Sequence, residues 1–539
     1  MYSFVKKLKK AVVVSSLFFG ILNSFDVKVL IQRCKMQDTS GDALELICAD
    51  GFILSYNSKF ALGGSCPHKK LVISHTDDAV KINGKVLSEK ILHVFPKLSH
   101  VIELELKSQV SYWFEAHDSE IQKKISELKN LFEEMLVQDR PLSADCADKL
   151  LDSAQAIFGL YFEHAQESYP ELEQHQELLS KYIREFLEIK FIKSFVQALE
   201  DKHVTPEYRK VLLKNTKKCY EFFSEQIGAT AQELLCEFLY ALPRKIIQCM
   251  IQDKISMIEY GGNKYQGSFI VFYDSKYLLL INSIDIDDYL LSVVRHEGFP
   301  GWPLEMNKIV AITCRTYLIY QILQAQRLDR AYHIENKNNH QTYKGYHDCP
   351  KIRQAIEDTK NMILGYNGRP ACTMYDVCCG GVTPGLIDDP DMKKIPYLAR
   401  SYACNFCKNH KSYSWSLDFS SDEVVNRLKK EFSKIDKITD VQVYKKDKAG
   451  LVRKVMITAG TKKIIITEKK FKSFFSELKS YCFEIKKINR RYFIEGRGFG
   501  HHRGLCQWGA HHLVRHEHWN FAEVLQFYYP GATIMKLNY

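Results

Sequence analysis

The chain of 539 residues has little glycine (27) and little proline (14). That scarcity excludes a collagenous or low-complexity chain. No repeat period stands out, so a solenoid or propeller is not expected. Zinc-finger spacing, an RNP-like aromatic motif and a long Lys/Arg tail are all missing. The net charge of +11 is scattered along the chain, so nucleic acid is not an expected partner. After the first 25 residues no apolar run is long enough to cross a bilayer. What is present is ordinary for a globular protein: 46% hydrophobic and 26% charged residues. A chain of this length can bury a substantial core and is expected to form two or three folded units.

The start has the form of an export signal. Lys6, Lys7, Lys9 and Lys10 precede the largely apolar run Ala11 to Leu22, and Ser24 offers a small residue near a cleavage point. Residues 1–24 therefore read as a signal peptide or, because Leu22 suits cleavage poorly, as an N-terminal anchor. The expected location is the periplasm or cell envelope. Sixteen cysteines are dispersed, without the spacing of a disulfide framework. The lone Cys404-x-x-Cys407 suits a zinc half-site, a redox pair or a disulfide; with the adjacent Cys378 and Cys379 it reads first as structural thiols, buried or oxidised. No metal and no cofactor are expected.

Short alternating runs such as Val27–Leu30, Leu44–Cys48, Phe52–Ser55, Val80–Ile82 and Val101–Leu106, with Asn83-Gly84 as a hairpin turn, predict a β-rich part over residues 25–110. The period then becomes helical: Ile121, Ile125, Leu128, Phe132 and Met135 share one face. Residues 111–250 are expected to form an inserted α-helical bundle, available to bind a protein partner. Residues 251–539, with a β-meander over 441–467, complete an α+β fold.

The densest chemical signal runs from Asp285 to Gly298. Leu290, Val293, Val294 and Glu297 fall at i, i+3, i+4 and i+7, which puts Glu297 on the apolar face at the helix C-terminus. An acidic group in that position is a candidate proton donor and acceptor. After the turn through Trp302-Pro303, a helix from Leu304 places Lys308 and Arg315 on one face. Near the C-terminus stands Gly496-Arg497-Gly498-Phe499-Gly500-His501-His502-Arg503-Gly504-Leu505-Cys506-Gln507-Trp508-Gly509. Its glycines suit a loop that approaches a ligand closely, and no surrounding pattern marks a nucleotide site.

Taken together, Tyr289 to Glu297, Trp302-Pro303-Leu304-Glu305, Ala311 to Tyr317, Gln341-Thr342-Tyr343, Gly496 to Ala510 and Tyr528-Tyr529-Pro530-Gly531 resemble the SpoIID/LytB family (stage II sporulation protein D, amidase enhancer) over residues 255–535. The resemblance implies a SpoIID-like catalytic domain acting on peptidoglycan glycan strands. It places the family's catalytic glutamate on Glu297, and Lys308, Arg315, Gln341, His501, Gln507 and Tyr528 around a substrate groove. It implies either a lytic transglycosylase that forms 1,6-anhydro-muramyl ends, or a non-catalytic enhancer with a cell-wall amidase as partner. The chain departs from the family in three places. Glu335, Asn339 and His340 stand where some members bind zinc through Cys and His. Cys378-Cys379-Gly380-Gly381 replaces a Ser-Ser-Gly-Gly loop, and His501-His502-Arg503-Gly504 adds bulk and charge beside the groove.

Overall fold

The structure, a computed structural model, describes most of residues 26–97 and 256–537, with scattered positions between 108 and 183. It divides into two units, Met1–Asp285 and Ile286–Tyr539.

In the first unit the strands are β1 (Asp26–Lys35), β2 (Leu44–Cys48), β3 (Phe52–Ser55), β4 (Gly64–Cys66), β5 (Lys70–His75), β6 (Val80–Ile82), β7 (Lys85–Val86) and β8 (Ile91–Pro96). They are joined by β9 (Ile258–Tyr260), β10 (Asn263–Tyr265), β11 (Ser268–Tyr273) and β12 (Tyr277–Asp285). One antiparallel run is ordered β1-β12-β11-β8-β3-β4, and a second sheet is ordered β10-β9-β2-β5-β6-β7. Residues 258–285, grouped from sequence with the C-terminal core, thus pair with β1, β2 and β8, all of which precede residue 97.

Alternation decides the faces. Leu44, Leu46 and Cys48 of β2 point inward between two exposed residues. Strand β12 is central and buries Leu278 through Ile281 without alternation. Its buried Asn282 is satisfied, because Nδ2 donates to the carbonyls of Gln266 and Ser268 at 3.0 Å each. The Asn83-Gly84 turn takes φ 48° and 82° and joins β6 to β7 with Ile82 opposite Lys85, as a two-residue hairpin requires. The described residues within 108–127 and 152–165 are helical, and Trp113 meets Tyr161 edge-on at 5.2 Å. The rest of the expected bundle, the run 101–106 and the leader lie outside the described residues.

The second unit begins with α1 (Ile286–Glu297) and α2 (Leu304–Arg327), then a short strand β13 (Ile334–Glu335) and α3 (Pro350–Asp358). Helix α2 is the spine: Met306, Ile309, Val310, Ile312, Leu318 and Ile319 are all buried as it packs on α1 and α3. Next come β14 (Met362–Tyr366), β15 (Arg369–Pro370) and β16 (Tyr375–Asp376). A module follows, made of β17 (Ser414–Ser420), α4 (Ser421–Lys429), β18 (Asp440–Lys446), β19 (Val452–Ala459), β20 (Lys462–Thr467), α5 (Glu468–Phe474), β21 (Phe483–Ile488) and β22 (Arg491–Arg497). The expected meander is β18-β19-β20, and Trp415, Phe419, Leu428, Val455, Phe471, Phe475 and Ile494 form the module's own core. The chain returns through β23 (Leu505–Cys506), parallel to β16, into α6 (Gln507–His516), α7 (Phe521–Tyr528) and β24 (Thr533–Lys536). A capping box at Asn520 and Glu523 opens α7, and Asn520 accepts from the Ala522 and Glu523 amides.

Two glycines of the first unit separate backbone strain from steric conflict. Gly262 (φ 77°) has open space where a Cβ would stand, whereas at Gly267 (φ 76°) that atom would lie 2.1 Å from the Ser283 carbonyl oxygen. Gly262→Ala is expected to cost about 1 kcal/mol, the scale of a left-handed alanine. Gly267→Ala is expected to cost about 3 kcal/mol or more, because β11 and β12 must also move apart. Urea midpoints of the two variants check this. Equal shifts would mean that the close approach of β11 and β12 is not enforced.

Candidate functional site around Glu297

Glu297 ends α1, one turn beyond the buried stripe of Tyr289, Leu290, Val293 and Val294. Its side chain is half-buried. Oε1 accepts the Thr342 backbone N–H at 2.5 Å, and the Glu297 backbone carbonyl accepts Gln507 Nε2 at 2.5 Å. The helix C-terminus, which leaves carbonyls without intrahelical partners, is thereby tied to the first residue of α6.

Thr342 is held in place from behind. Gln341 is fully buried; its Oε1 accepts the Tyr289 hydroxyl at 2.8 Å and its Nε2 donates to the Cys314 carbonyl at 3.2 Å. Ser292 Oγ accepts the Lys344 amide at 3.1 Å, and Asn336 Oδ1 accepts the Tyr343 amide at 2.9 Å. Tyr343 and Tyr289 stack with centroids 5.2 Å apart. Burial pushes the Tyr289 and Tyr375 phenols well above their ordinary range, so both remain protonated. Tyr375 meets the Cys314 thiol at 3.7 Å.

Beside the glutamate lies an aromatic shelf. Phe299 is 51% exposed. It sits 5.1 Å from Trp302 and 5.7 Å from Trp508. The His410 ring lies flat on Trp508 at 3.8 Å, and His511 edges it at 5.2 Å. Trp508 directly follows Gln507, so the residue that ties α6 to Glu297 also sets the shelf next to it. Flat apolar faces rimmed by polar groups suit a ligand with alternating C–H and hydroxyl surfaces.

The other residues expected around a groove fall in different places. Gln341 and Gln507 adjoin Glu297, but through buried or backbone contacts that position it. Arg315 is 1% exposed and donates to the carbonyls of Ile356, Thr359 and Met362 at 3.3, 2.8 and 3.3 Å. A cation closing the C-terminal carbonyls of α3 is a structural element, since burial withholds it from any solvent-facing groove. Lys308 pairs with Glu305 and Asp358, each at 3.0 Å. Tyr528 is buried, with its hydroxyl 3.2 Å from the Cys404 thiol.

His501 Nδ1 accepts the Arg503 amide at 3.1 Å; burial, with Arg503 second, lowers its pKa to about 4, so it is neutral at neutral pH. His502, in the left-handed region at φ 65°, bonds the Cys379 carbonyl through Nδ1 at 2.9 Å. Glu335 accepts from Tyr332 and pairs with Lys337, and Asn339 lies outside the described residues. Tyr289, Thr342, Phe299 and Trp508 were not singled out from sequence as site residues. Thr342 acts through its backbone and could not have been, whereas an aromatic two residues after Glu297 and another beside Gln507 were visible.

Arg315 and Lys308 give opposite expectations. Arg315→Met should cost about 3 kcal/mol, because buried carbonyls lose their charged donor. Lys308→Met should cost under about 1 kcal/mol, the scale of a solvent-touched pair. Chemical denaturation of the two variants decides it, and a mild Arg315 variant would contradict the capping role.

Against known proteins, residues 274–366 match the family described as Stage II sporulation protein, SpoIID. Residues 395–504, which include the module with its own core, match a family described only as a domain of unknown function. An uncharacterized protein of Brachyspira hyodysenteriae is 28% identical over 59% of this chain and 87% of its own length. The amidase enhancer of Bacillus subtilis is 25% identical over 46% of this chain but only 40% of its own length. Stage II sporulation protein D of Bacillus subtilis is 23% identical over 48% of this chain and 76% of its own. The match to the SpoIID family covers α1, α2 and the Gln341 segment, and leaves out α6 with Gln507 and Trp508. Residues 274–366 thus form a segment of the SpoIID type, within a chain that is similar over about half its length to an amidase enhancer and a stage II sporulation protein D.

Proposed function

We propose that the protein acts in the bacterial cell wall as a lytic transglycosylase on peptide-stripped peptidoglycan glycan strands. The observation that carries this reading is the Glu297 carboxyl. It is half-buried at the end of α1, oriented by the Thr342 amide, and set beside the exposed Phe299, which packs on the half-buried Trp508. A relative named for amidase enhancement and another named for sporulation support a wall substrate. The basic, then apolar start of the chain supports export to the envelope.

In this reading the sugar rings lie along the aromatic shelf and the glycosidic oxygen comes within hydrogen-bond reach of Glu297. The protonated carboxyl gives its proton to that oxygen as the bond to the anomeric carbon breaks. The resulting carboxylate takes the proton of the muramyl 6-hydroxyl, whose oxygen closes on the anomeric carbon. The products are a 1,6-anhydro-muramyl end and a free 4-hydroxyl, and Glu297 is protonated again. One carboxyl can serve because the attacking hydroxyl belongs to the substrate; hydrolytic glycosidases commonly need a pair. The Thr342 N–H steadies the carboxylate half of the cycle.

The second reading, a non-catalytic glycan-binding enhancer of a cell-wall amidase, is favoured by one relative's name. Glu297→Gln separates the two, since it keeps size and an acceptor for Thr342 while removing the transferable proton. Release of anhydro-muramyl fragments from denuded strands should fall about a hundredfold or more, with glycan affinity and thermal midpoint unchanged. Wild-type protein that releases no such fragments, yet stimulates an amidase as well with Gln as with Glu, would establish the enhancer instead.

A further inference from the structure

Cys379, Cys404, Cys407 and Cys506 come from three separate segments, yet their sulfurs all lie within 4.8 Å of one another, and all four residues are buried. Cys379 follows β16, Cys404 and Cys407 form a turn ahead of β17, and Cys506 ends β23 at the N-terminus of α6. Four thiols from dispersed positions do not meet for packing alone, since a single buried thiol already fills its space as a small apolar group. We propose that these residues bind one tetrahedral metal ion, of which zinc is the class that fits four sulfur ligands.

Three further features fit an ion at this point. The Cys379 and Cys407 sulfurs are 3.7 Å apart. Two ligands at the usual zinc–sulfur length of about 2.3 Å on tetrahedral corners stand about 3.8 Å apart, whereas a disulfide brings sulfurs to about 2.05 Å. Backbone amides point at sulfur: Cys379 N–H donates to Cys506 Sγ at 3.3 Å, and Gly509 N–H to the same sulfur at 3.4 Å. Such donors steady thiolates and orient the ligand set. The surroundings also leave no room for more: a Cβ on Gly509 would stand 2.7 Å from Cys404 Sγ and 3.3 Å from Cys506 Sγ.

Charge completes the case. Four thiolates around a divalent ion carry two net negative charges, which burial penalises unless a cation is near. Arg400 is 1% exposed, its guanidinium lies 5.5 Å from the Tyr528 ring, and the Tyr528 hydroxyl is 3.2 Å from Cys404 Sγ. Its Nη1 donates to the Tyr402 carbonyl, and among the described residues its Nε and Nη2 have no hydrogen-bond partner. A buried guanidinium left this way is the counter-charge a tetrathiolate centre would need. From sequence, Cys404-x-x-Cys407 read as structural thiols; its partners Cys379 and Cys506 lie 25 and 99 residues away and gave no spacing to recognise.

The ion would clamp the two ends of the module between Cys407 and Cys506 onto the Cys379 loop. It would also hold the turn leading to His410, which stacks on Trp508, and the residue preceding Gln507. Its role is structural, with all four positions taken by protein, and the proposal stands independently of the chemistry assigned to Glu297.

The test is elemental analysis of the purified full chain with a thiol titration beside it. About one zinc per chain is expected, released in step with modification of four thiols. Growth with cobalt in place of zinc should give the strong visible absorption of a tetrahedral tetrathiolate site. Cys407→Ser should lose that absorption or shift it to a three-sulfur form, and Cys349→Ser should keep both metal and spectrum. If Cys407→Ser does not fold, the wild-type stoichiometry and cobalt spectrum still decide. Folded protein with under about a tenth of an ion per chain, or mass loss showing that these cysteines are paired as disulfides, would overturn the proposal.

Discussion

A buried amide organises the Glu297 site. Gln341 has no access to solvent, so both ends of its side chain must find partners inside the protein. The Tyr289 hydroxyl and the Cys314 carbonyl supply them, one from α1 and one from the interior of α2. Meeting both demands leaves the following residue, Thr342, with its amide against the Glu297 carboxyl. An apolar side chain at 341 would leave the Tyr289 hydroxyl and a carbonyl without that partner and release the segment. The site's geometry is thus a by-product of satisfying buried polar groups.

The same logic runs through the rest of the second unit. Arg315 closes the C-terminal carbonyls of α3, and Gln507 closes that of α1. His502 and Asp376 meet through the His502 amide at 2.7 Å, and burial pushes the Asp376 carboxyl well above the usual carboxylate range. Several polar side chains that a sequence pattern aligns with a groove are therefore spent on backbone groups. The surface left for a ligand is the aromatic shelf with the half-buried glutamate at its edge.

Much of this was legible in the sequence, and the reason is periodicity. The 3.6-residue spacing of Tyr289, Val293 and Glu297, the alternation in β2, the Asn83-Gly84 turn and the Asn520–Glu523 capping box each report a local constraint. Residues whose role depends on distant chain segments were not legible. Arg315 shares a helix face with Lys308, but only the arrival of α3 decides that one is buried and the other half-exposed. Strands β9 to β12 begin at Ile258, far along the chain from β8 (Ile91–Pro96), and nothing local says that they pair with β1, β2 and β8. The thiol cluster draws on three segments, so neither its existence nor its membership follows from Cys-x-x-Cys.

In the proposed function a glycan strand lies on Phe299 and Trp508 with its scissile oxygen at Glu297. The most direct measurement is a crystal structure of the Glu297→Gln protein with a peptide-free glycan fragment bound. The account predicts a sugar ring against the Phe299 or Trp508 face and the glycosidic oxygen within about 3.2 Å of the side-chain amide at 297. A fragment bound elsewhere on the protein, with the shelf empty and residue 297 still bonded only to Thr342, would contradict it.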